Sequence, residues 1–382
     1  MKAVYEVADV LNIHWPALQH SAQYNTWQLR TLDAVRRCRT ASLGSHADGC
    51  ISCGHLRISY NSCRNRHCPK CQGKQREAWI QAREDELLPV PYFHVVFTLP
   101  DTLNRLCLFK PEIVYGMLFK TAWSVLNSFG HDTKLLGAQT GMISILHTWG
   151  QTLTLHPHLH CIVPGGGVTK TGTWKDAKSD GKYLFNVKAM SKVYRGRFIA
   201  ALKEQLPQQM TKEVVNALYK HHWVVYAKRP FSGAQSVVEY LGRYTHKIAI
   251  SNHRIKSMDD DSITFNYKDY KHGSITKEMT LDAVEFIRRY SLHILPKGFV
   301  RIRHYGILSS SSKETYAAII KAQLPQEVPL PQRSSKATPA PFNPTQCPCC
   351  KKETMQTVMW FSRRGPPADW KQQAMNLLEC IR

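Results

Sequence analysis

Acidic residues are scarce in this 382-residue chain: Asp and Glu total 28 against 51 Lys and Arg, which leaves a formal net charge of +23. That shortage is the electrostatic footprint of a protein that neutralises phosphates, so nucleic acid leads as the partner. On charge alone, a membrane surface or a ribosome-like structural complex would be its rivals. Long apolar runs are missing as well. None approaches the ~18 residues needed to cross a bilayer, so no membrane partner is expected. The opening MKAVYEVADVLNIHWP lacks the basic start and apolar core of a signal peptide, and a cytoplasmic location is expected. No internal repeat is visible. With 43% hydrophobic and 21% charged residues, the composition excludes wholesale disorder, and the length suits two or three domains.

Cysteine is not scarce but is unevenly spread. Of 12 in the chain, Cys50, Cys53, Cys63, Cys68 and Cys71 crowd together with His67, a pattern of metal ligation in a reducing compartment. Two C-x2-C pairs give the spacing of a four-thiolate zinc ribbon made of Cys50, Cys53, Cys68 and Cys71, a structural zinc site. Its binding energy would fold a module that has little core of its own. Cys63 and His67 are left over. They would either replace a ribbon ligand or join Cys347 and Cys350 in a second site. Arg64, Arg66, Lys70, Lys74 and Arg76 surround the ribbon and suit phosphate contacts.

Local patterning divides the chain into 1–88, helices and the zinc module; 89–310, a catalytic domain; and 311–382, a Ser-, Pro- and Lys-rich linker and tail. Apolar spacing predicts two short helices before Thr40, and GKQREAWIQAREDELLP reads as a third, closed by Pro89. YFHVVFTLP is a core strand, and Leu103 to Phe129 is helical. TGMISILHTWG and QTLTLHPHLHCIVPGGG form an antiparallel hairpin in which Pro157 demands an edge or a bulge. Further helices are expected over Phe198–Leu206, Lys212–His221, GAQSVVEYLGRYTHK and LDAVEFIRRYSLHIL. WVVYAK, IAISNHRI and SITFNYKD read as strands.

Side chains alternate faces along a strand, so His156, His158 and His160 project together. His158 and His160 are close enough to bind one divalent ion, with Gln151 across the turn as third ligand and His156 as the competing choice. Two imidazoles and an oxygen leave open positions, the pattern of a catalytic site. Mg²⁺ or Mn²⁺ there would polarise a scissile phosphate. Gly165 to Gly167 would let the backbone approach DNA closely. Tyr240 and Tyr244, four apart on a predicted helix, would send both hydroxyls from one face as nucleophiles, with Arg243 and Lys247 positioning phosphate.

HPHLHCIVPGGG, EYLGRYTHKIAISN, PKGFVRIRHYG and YNSCRNRHCPKCQ together resemble the two-tyrosine, rolling-circle transposases of the His-hydrophobic-His (HUH) superfamily, the IS91-like group. The resemblance covers roughly Ala34 to Leu308. It implies an α+β fold: an HUH endonuclease core with a central antiparallel sheet of four or five strands flanked by helices, preceded by the zinc ribbon. It also implies that His158 and His160 hold the metal and that Tyr240 and Tyr244 cleave and rejoin single-stranded DNA at element ends and target DNA through 5′-phosphotyrosine links. A replication initiator or relaxase would share this chemistry. A non-catalytic zinc-dependent DNA-binding regulator, or a metal hydrolase that leaves the tyrosines idle, would not.

Overall fold

Apolar residues near the N-terminus fall at helical spacing, and each of the helices they form opens on a reciprocal side-chain cap. Asn25 accepts from the Gln28 backbone N–H while its own N–H donates to Gln28 Oε1, which starts α2 (Thr26–Arg36). Glu6 and Asp9 form the equivalent pair ahead of α1 (Val7–Leu18). Val7, Leu11, Leu32 and Val35 are buried. The computed structural model describes residues 3–71, 87–177, 184–228, 248–270, 272–324 and 343–381. The chain divides into one unit of residues 1–72 with 328–382 and a second of 73–327. Among the described residues no helix is long and apolar enough to cross a membrane.

In the first unit β1 (Ser45–Cys50) pairs antiparallel with β2 (Leu56–Tyr60) on one side and with a strand formed by Met355–Phe361 on the other. A helix over Trp370–Ile381 follows that strand and buries Ala374 and Leu378. Leu378 lies on β1: a Cβ at Gly49 would come within 2.5 Å of its Cδ1. Residues 343–381, expected as a tail, are therefore part of this module. The physical reason is that a two-stranded hairpin is marginal by itself, and a third strand with a covering helix gives it a buried face. The helix predicted over GKQREAWIQAREDELLP falls mostly on residues 72–86, outside the described ones.

The second unit runs β3 (Tyr92–Thr98), α3 (Asn104–Phe109), α4 (Pro111–His131), β4 (Gly141–Trp149), β5 (Leu155–Pro164), β6 (Gly166–Val168) and β7 (Trp174–Asp176). It continues with α5 (Val187–Gln205), α6 (Lys212–Lys220), β8 (Val225–Lys228), β9 (Ile255–Met258), β10 (Ser262–Asp269) and β11 (Ile275–Asp282). It closes with α7 (Ala283–Ser291), β12 (Ile302–Gly306) and α8 (Lys313–Gln323). Five strands form an antiparallel sheet in the order β12-β4-β5-β3-β8, and β9 to β11 form a smaller one. The fold is α+β with a central antiparallel sheet flanked by helices, as the resemblance implied.

Period-two alternation gives the large sheet two unlike faces. Phe93, Val95, Phe97, Met142, Leu146, Leu159, Cys161 and Val163 join a core with Leu118 and Phe119 of α4 and Tyr194 and Phe198 of α5. Each such side chain, fully buried, contributes roughly 1.5–3 kcal/mol, so this face supplies most of the cohesion. On the opposite face Tyr92, Ile143, Ile145 and Ile162 pack with Ile320 of α8. His94, His147, His158 and His160 lie in step with that apolar group, on the same face.

Pro157 sits in the interior of the sheet at a bulge, not at an edge. His147 pairs with His158 and Trp149 with Leu155, so β5 sets His156 and Pro157 against the single Thr148. One strand expectation changes, and one strand has no counterpart among the expectations. IAISNHRI is a 3-10 turn at Asn252–Arg254 followed by β9, and the polar β11 went unread. Gly166 and Gly167 are buried: a Cβ would stand 2.5 Å from the Trp174 ring and 2.6 Å from the Gln139 carbonyl oxygen. These glycines admit neighbouring protein chain, not DNA.

Candidate metal centres

The turn that joins β4 to β5 is unusually well tied. Arg254 donates to the Gln151 carbonyl, Arg289 to that of Thr152 at 3.1 Å, and His293 Nε2 to that of Leu153 at 3.0 Å. These bonds hold Leu153 at φ 61°, a left-handed conformation that costs a non-glycine residue about 1–2 kcal/mol. Burial pushes the His293 imidazole down to about 4, and its Nδ1 accepts from the Thr148 hydroxyl at 3.2 Å. A base depressed in this way binds fewer protons folded than unfolded. Its stabilisation is complete above the ordinary histidine value near 6.5 and is lost as pH falls towards 4, an effect of about 3 kcal/mol. In His293→Gln, the slope of unfolding free energy between pH 6.5 and 4 should flatten; an unchanged slope would acquit His293.

From that fixed turn β4 and β5 deliver three imidazoles to one point. Donor nitrogens of His147, His158 and His160 all lie within 4.8 Å of one another. His158 Nδ1 donates to the His156 carbonyl at 2.6 Å, an oxygen that can only accept, so its Nε2 presents a lone pair 3.1 Å from His160 Nε2. His160 Nδ1 is paired with Nε2 of the buried His94 at 2.9 Å. Both rings are thus turned to offer Nε2, the orientation of metal-bound imidazoles whose other nitrogen is fixed by a neighbour. A cation fits this donor set.

His147 joins His158 and His160 in this group. Gln151 lines the same pocket, but its Oε1 accepts from the Lys268 N–H at 3.4 Å. His156 remains outside the cluster and is exposed. The pocket has a volume of about 730 Å³ and is open, and its lining includes Tyr267 and Lys268 of β10 and Tyr270 just past that strand. Lys277 and His272 hold the Asp269 carboxyl there well below the usual range. Neither His147 nor the Tyr267 wall was anticipated. The signal for His147 lay in the hairpin register, which sets it directly opposite His158.

The four ribbon cysteines do not assemble as their spacing suggested. Cys68 and Cys71 meet Cys38 and Cys63, while Cys50 and Cys53 meet Cys347 and Cys350. Sulfur separations are 3.5 Å for Cys38–Cys71 and 3.6 Å for Cys63–Cys71, Cys50–Cys350 and Cys53–Cys347. Four thiolates about 2.3 Å from one zinc stand about 3.8 Å apart, whereas a disulfide is close to 2 Å. The correction has a simple cause: β1 and β2 carry the first pair away from the second. His67 joins neither group. Cys38, hidden in the basic run VRRCRT, was missed.

Among the basic residues, Lys70 is engaged with Glu6 at 2.5 Å and with the Cys38 carbonyl at 3.2 Å, a structural role. Arg64 is exposed at φ 52°, and burial lowers the Arg66 pKa. Tyr240, Tyr244, Arg243, Lys247 and Lys74 lie outside the described residues.

Comparison with known proteins bears on both regions. Residues 141–315 match a family described as "Putative transposase", and residues 10–99 match the transposase zinc-binding domain. A Sinorhizobium fredii protein named "Putative transposase y4qJ" is 40% identical over 96% of this chain and 98% of its own length. The transposase for insertion sequence element IS801 of Pseudomonas savastanoi pv. phaseolicola is 27% identical over 83% of this chain and 79% of its own. No solved structure matches the chain.

Proposed function

The chain belongs to the IS91-like transposases, DNA transposases with a structural zinc domain, and from that premise we propose that it nicks and rejoins single-stranded DNA through tyrosine-linked intermediates. The observation that carries this reading is the convergence of three imidazoles, two of them oriented by neighbours, in an open pocket. His147, His158 and His160 would hold a divalent ion, which supplies Lewis acidity towards a scissile phosphate and leaves positions for its oxygens. An all-imidazole set favours Mn²⁺ over Mg²⁺ in affinity.

The chain's own groups account for the rest. A phenolic oxygen of Tyr240 or Tyr244 attacks phosphorus, the phosphorus–tyrosine oxygen bond forms, and the bond to the 3′-oxygen breaks. The phenol proton leaves, and the 3′-oxygen takes one up to become a hydroxyl. One phosphodiester replaces another, so a 3′-hydroxyl can reverse the step on a new strand without a nucleotide cofactor. Arg243 and Lys247 would position phosphate, and Arg64, Arg66 and Lys74 would add backbone contacts. Cys38, Cys63, Cys68 and Cys71 would hold the structural zinc, since all four lie within the matched zinc-binding region.

The test is a covalent adduct that survives denaturation when the protein meets single-stranded DNA from its element's end and Mn²⁺ or Mg²⁺. A hydrolase would cut without an adduct, and a regulator would do neither. The relatives are transposases, which favours this reading over a replication initiator or relaxase.

His94 is a positioning residue in this scheme, because it fixes which nitrogen of His160 faces the ion. His94→Phe should weaken Mn²⁺ binding about 10–100-fold, followed by electron paramagnetic resonance titration. His94→Asn, which retains a polar partner for Nδ1, should lose less. Equal affinity in all three proteins would remove His94 from the site.

A further inference from the structure

Cys50 and Cys53 belong to one turn and Cys347 and Cys350 to another, and the two turns have the same backbone. In the first, the Gly54 N–H donates to the Cys50 carbonyl at 2.9 Å and the Cys50 N–H to the His55 carbonyl at 2.9 Å. In the second, the Lys351 N–H donates to the Cys347 carbonyl at 3.0 Å and the Cys347 N–H to the Lys352 carbonyl at 2.8 Å. The residue after the second cysteine is left-handed in both, Gly54 at φ 75° and Lys351 at φ 63°. Such a turn points both sulfurs of a C-x2-C pair to one side, and two of them facing each other make a closed tetrahedral cage.

The surroundings fit the cage as well. Cys50 and Cys347 are fully buried, and Met355 packs on them. Thr354 Oγ1 stands 3.1 Å from Cys50 Sγ, close enough for its hydroxyl to donate to a thiolate. The strand after each turn, β2 or Met355–Phe361, pairs with β1 between them. The whole has the layout of a zinc ribbon, assembled from two segments that lie 300 residues apart at Cys50 and Cys350.

We propose that Cys50, Cys53, Cys347 and Cys350 form a second tetrathiolate zinc site, which clasps the C-terminal segment to the N-terminal module. Only half of it lies in the matched zinc-binding region, which ends at residue 99. With all four positions taken by sulfur the ion is structural, and because it closes a very long loop it constrains the unfolded chain strongly. The inference stands apart from the DNA chemistry above.

Two measurements on the full chain test it. Cys347→Ser with Cys350→Ser should lower zinc, counted by mass spectrometry, from about two ions per chain to about one. Since those substitutions can disturb folding, the wild-type protein provides the second arm. Cys349 and Cys380 are exposed and outside both clusters, and so is the side chain of Cys53 exposed, yet inside one. In the zinc-loaded protein an alkylating reagent should modify Cys349 and Cys380 rapidly and spare Cys53 and Cys350, and a chelator should abolish the protection. Unchanged zinc in the double variant, or Cys53 and Cys350 reacting as fast as Cys349 before chelation, overturns the proposal.

Discussion

Carrying both Tyr240→Phe and Tyr244→Phe, the full-length protein should form no denaturation-resistant adduct with single-stranded element-end DNA, while its affinity for that DNA stays close to wild type. Phenylalanine keeps the ring and deletes only the oxygen that attacks phosphorus. Removing a nucleophile that acts as part of a unit typically costs on the order of 10⁵–10⁶ in rate, or about 7–8 kcal/mol at 1.36 kcal/mol per decade. Each single variant should retain an adduct through the remaining tyrosine but fail to complete strand transfer. The pocket wall supplies the control. Tyr267 and Tyr270 line the histidine pocket, so their hydroxyls are the alternative nucleophiles. If the adduct survives loss of Tyr240 and Tyr244 and disappears in Tyr267→Phe with Tyr270→Phe, the assignment moves to the small sheet. With Tyr240 and Tyr244 as the nucleophiles, replacing Tyr267 and Tyr270 by phenylalanine should leave the adduct intact.

The second large effect concerns the imidazoles. His158→Ala with His160→Ala should reduce cleavage roughly 10³-fold, the loss of several kcal/mol of charge stabilisation, without reducing DNA retention on filters. His147→Ala and Gln151→Ala separate two candidates for the third ligand. His147 has a donor nitrogen within 4.8 Å of the other two, whereas the Gln151 amide faces the Lys268 backbone. Loss of His147 should therefore cost about 10–100-fold in metal affinity, and loss of Gln151 little. The opposite order would return the site to the arrangement expected from spacing.

Why spacing did not point to His147, and served well elsewhere, is a matter of range. The β4–β5 hairpin was legible because alternation, a Gly-containing turn and β-rich residues are all local signals. His158 and His160 share a face for the same reason. His147 was not legible, because its partner depends on the extra residue that β5 accommodates at His156 and Pro157, and a bulge shifts register invisibly. The cysteines make the same point. Each C-x2-C turn could be read from four residues, but which turns face each other depends on the pairing of Met355–Phe361 with β1, a contact that no local pattern encodes. Cys38 and His94 were overlooked because each sits in a segment with a sufficient ordinary explanation, a basic helix end and a core strand.

The sheet's two unlike faces bear on how the proposed strand transfers would proceed. His158 and His160 are interleaved with Leu159 and Cys161, which are locked into the helix-covered interior. Shifting the imidazoles would drag those neighbours through a close-packed interior. In the proposed scheme the histidine end of the sheet would therefore serve as an anvil, returning to the same place in every round, and the travel between one exchange and the next would have to come from the DNA and from groups not built into those strands.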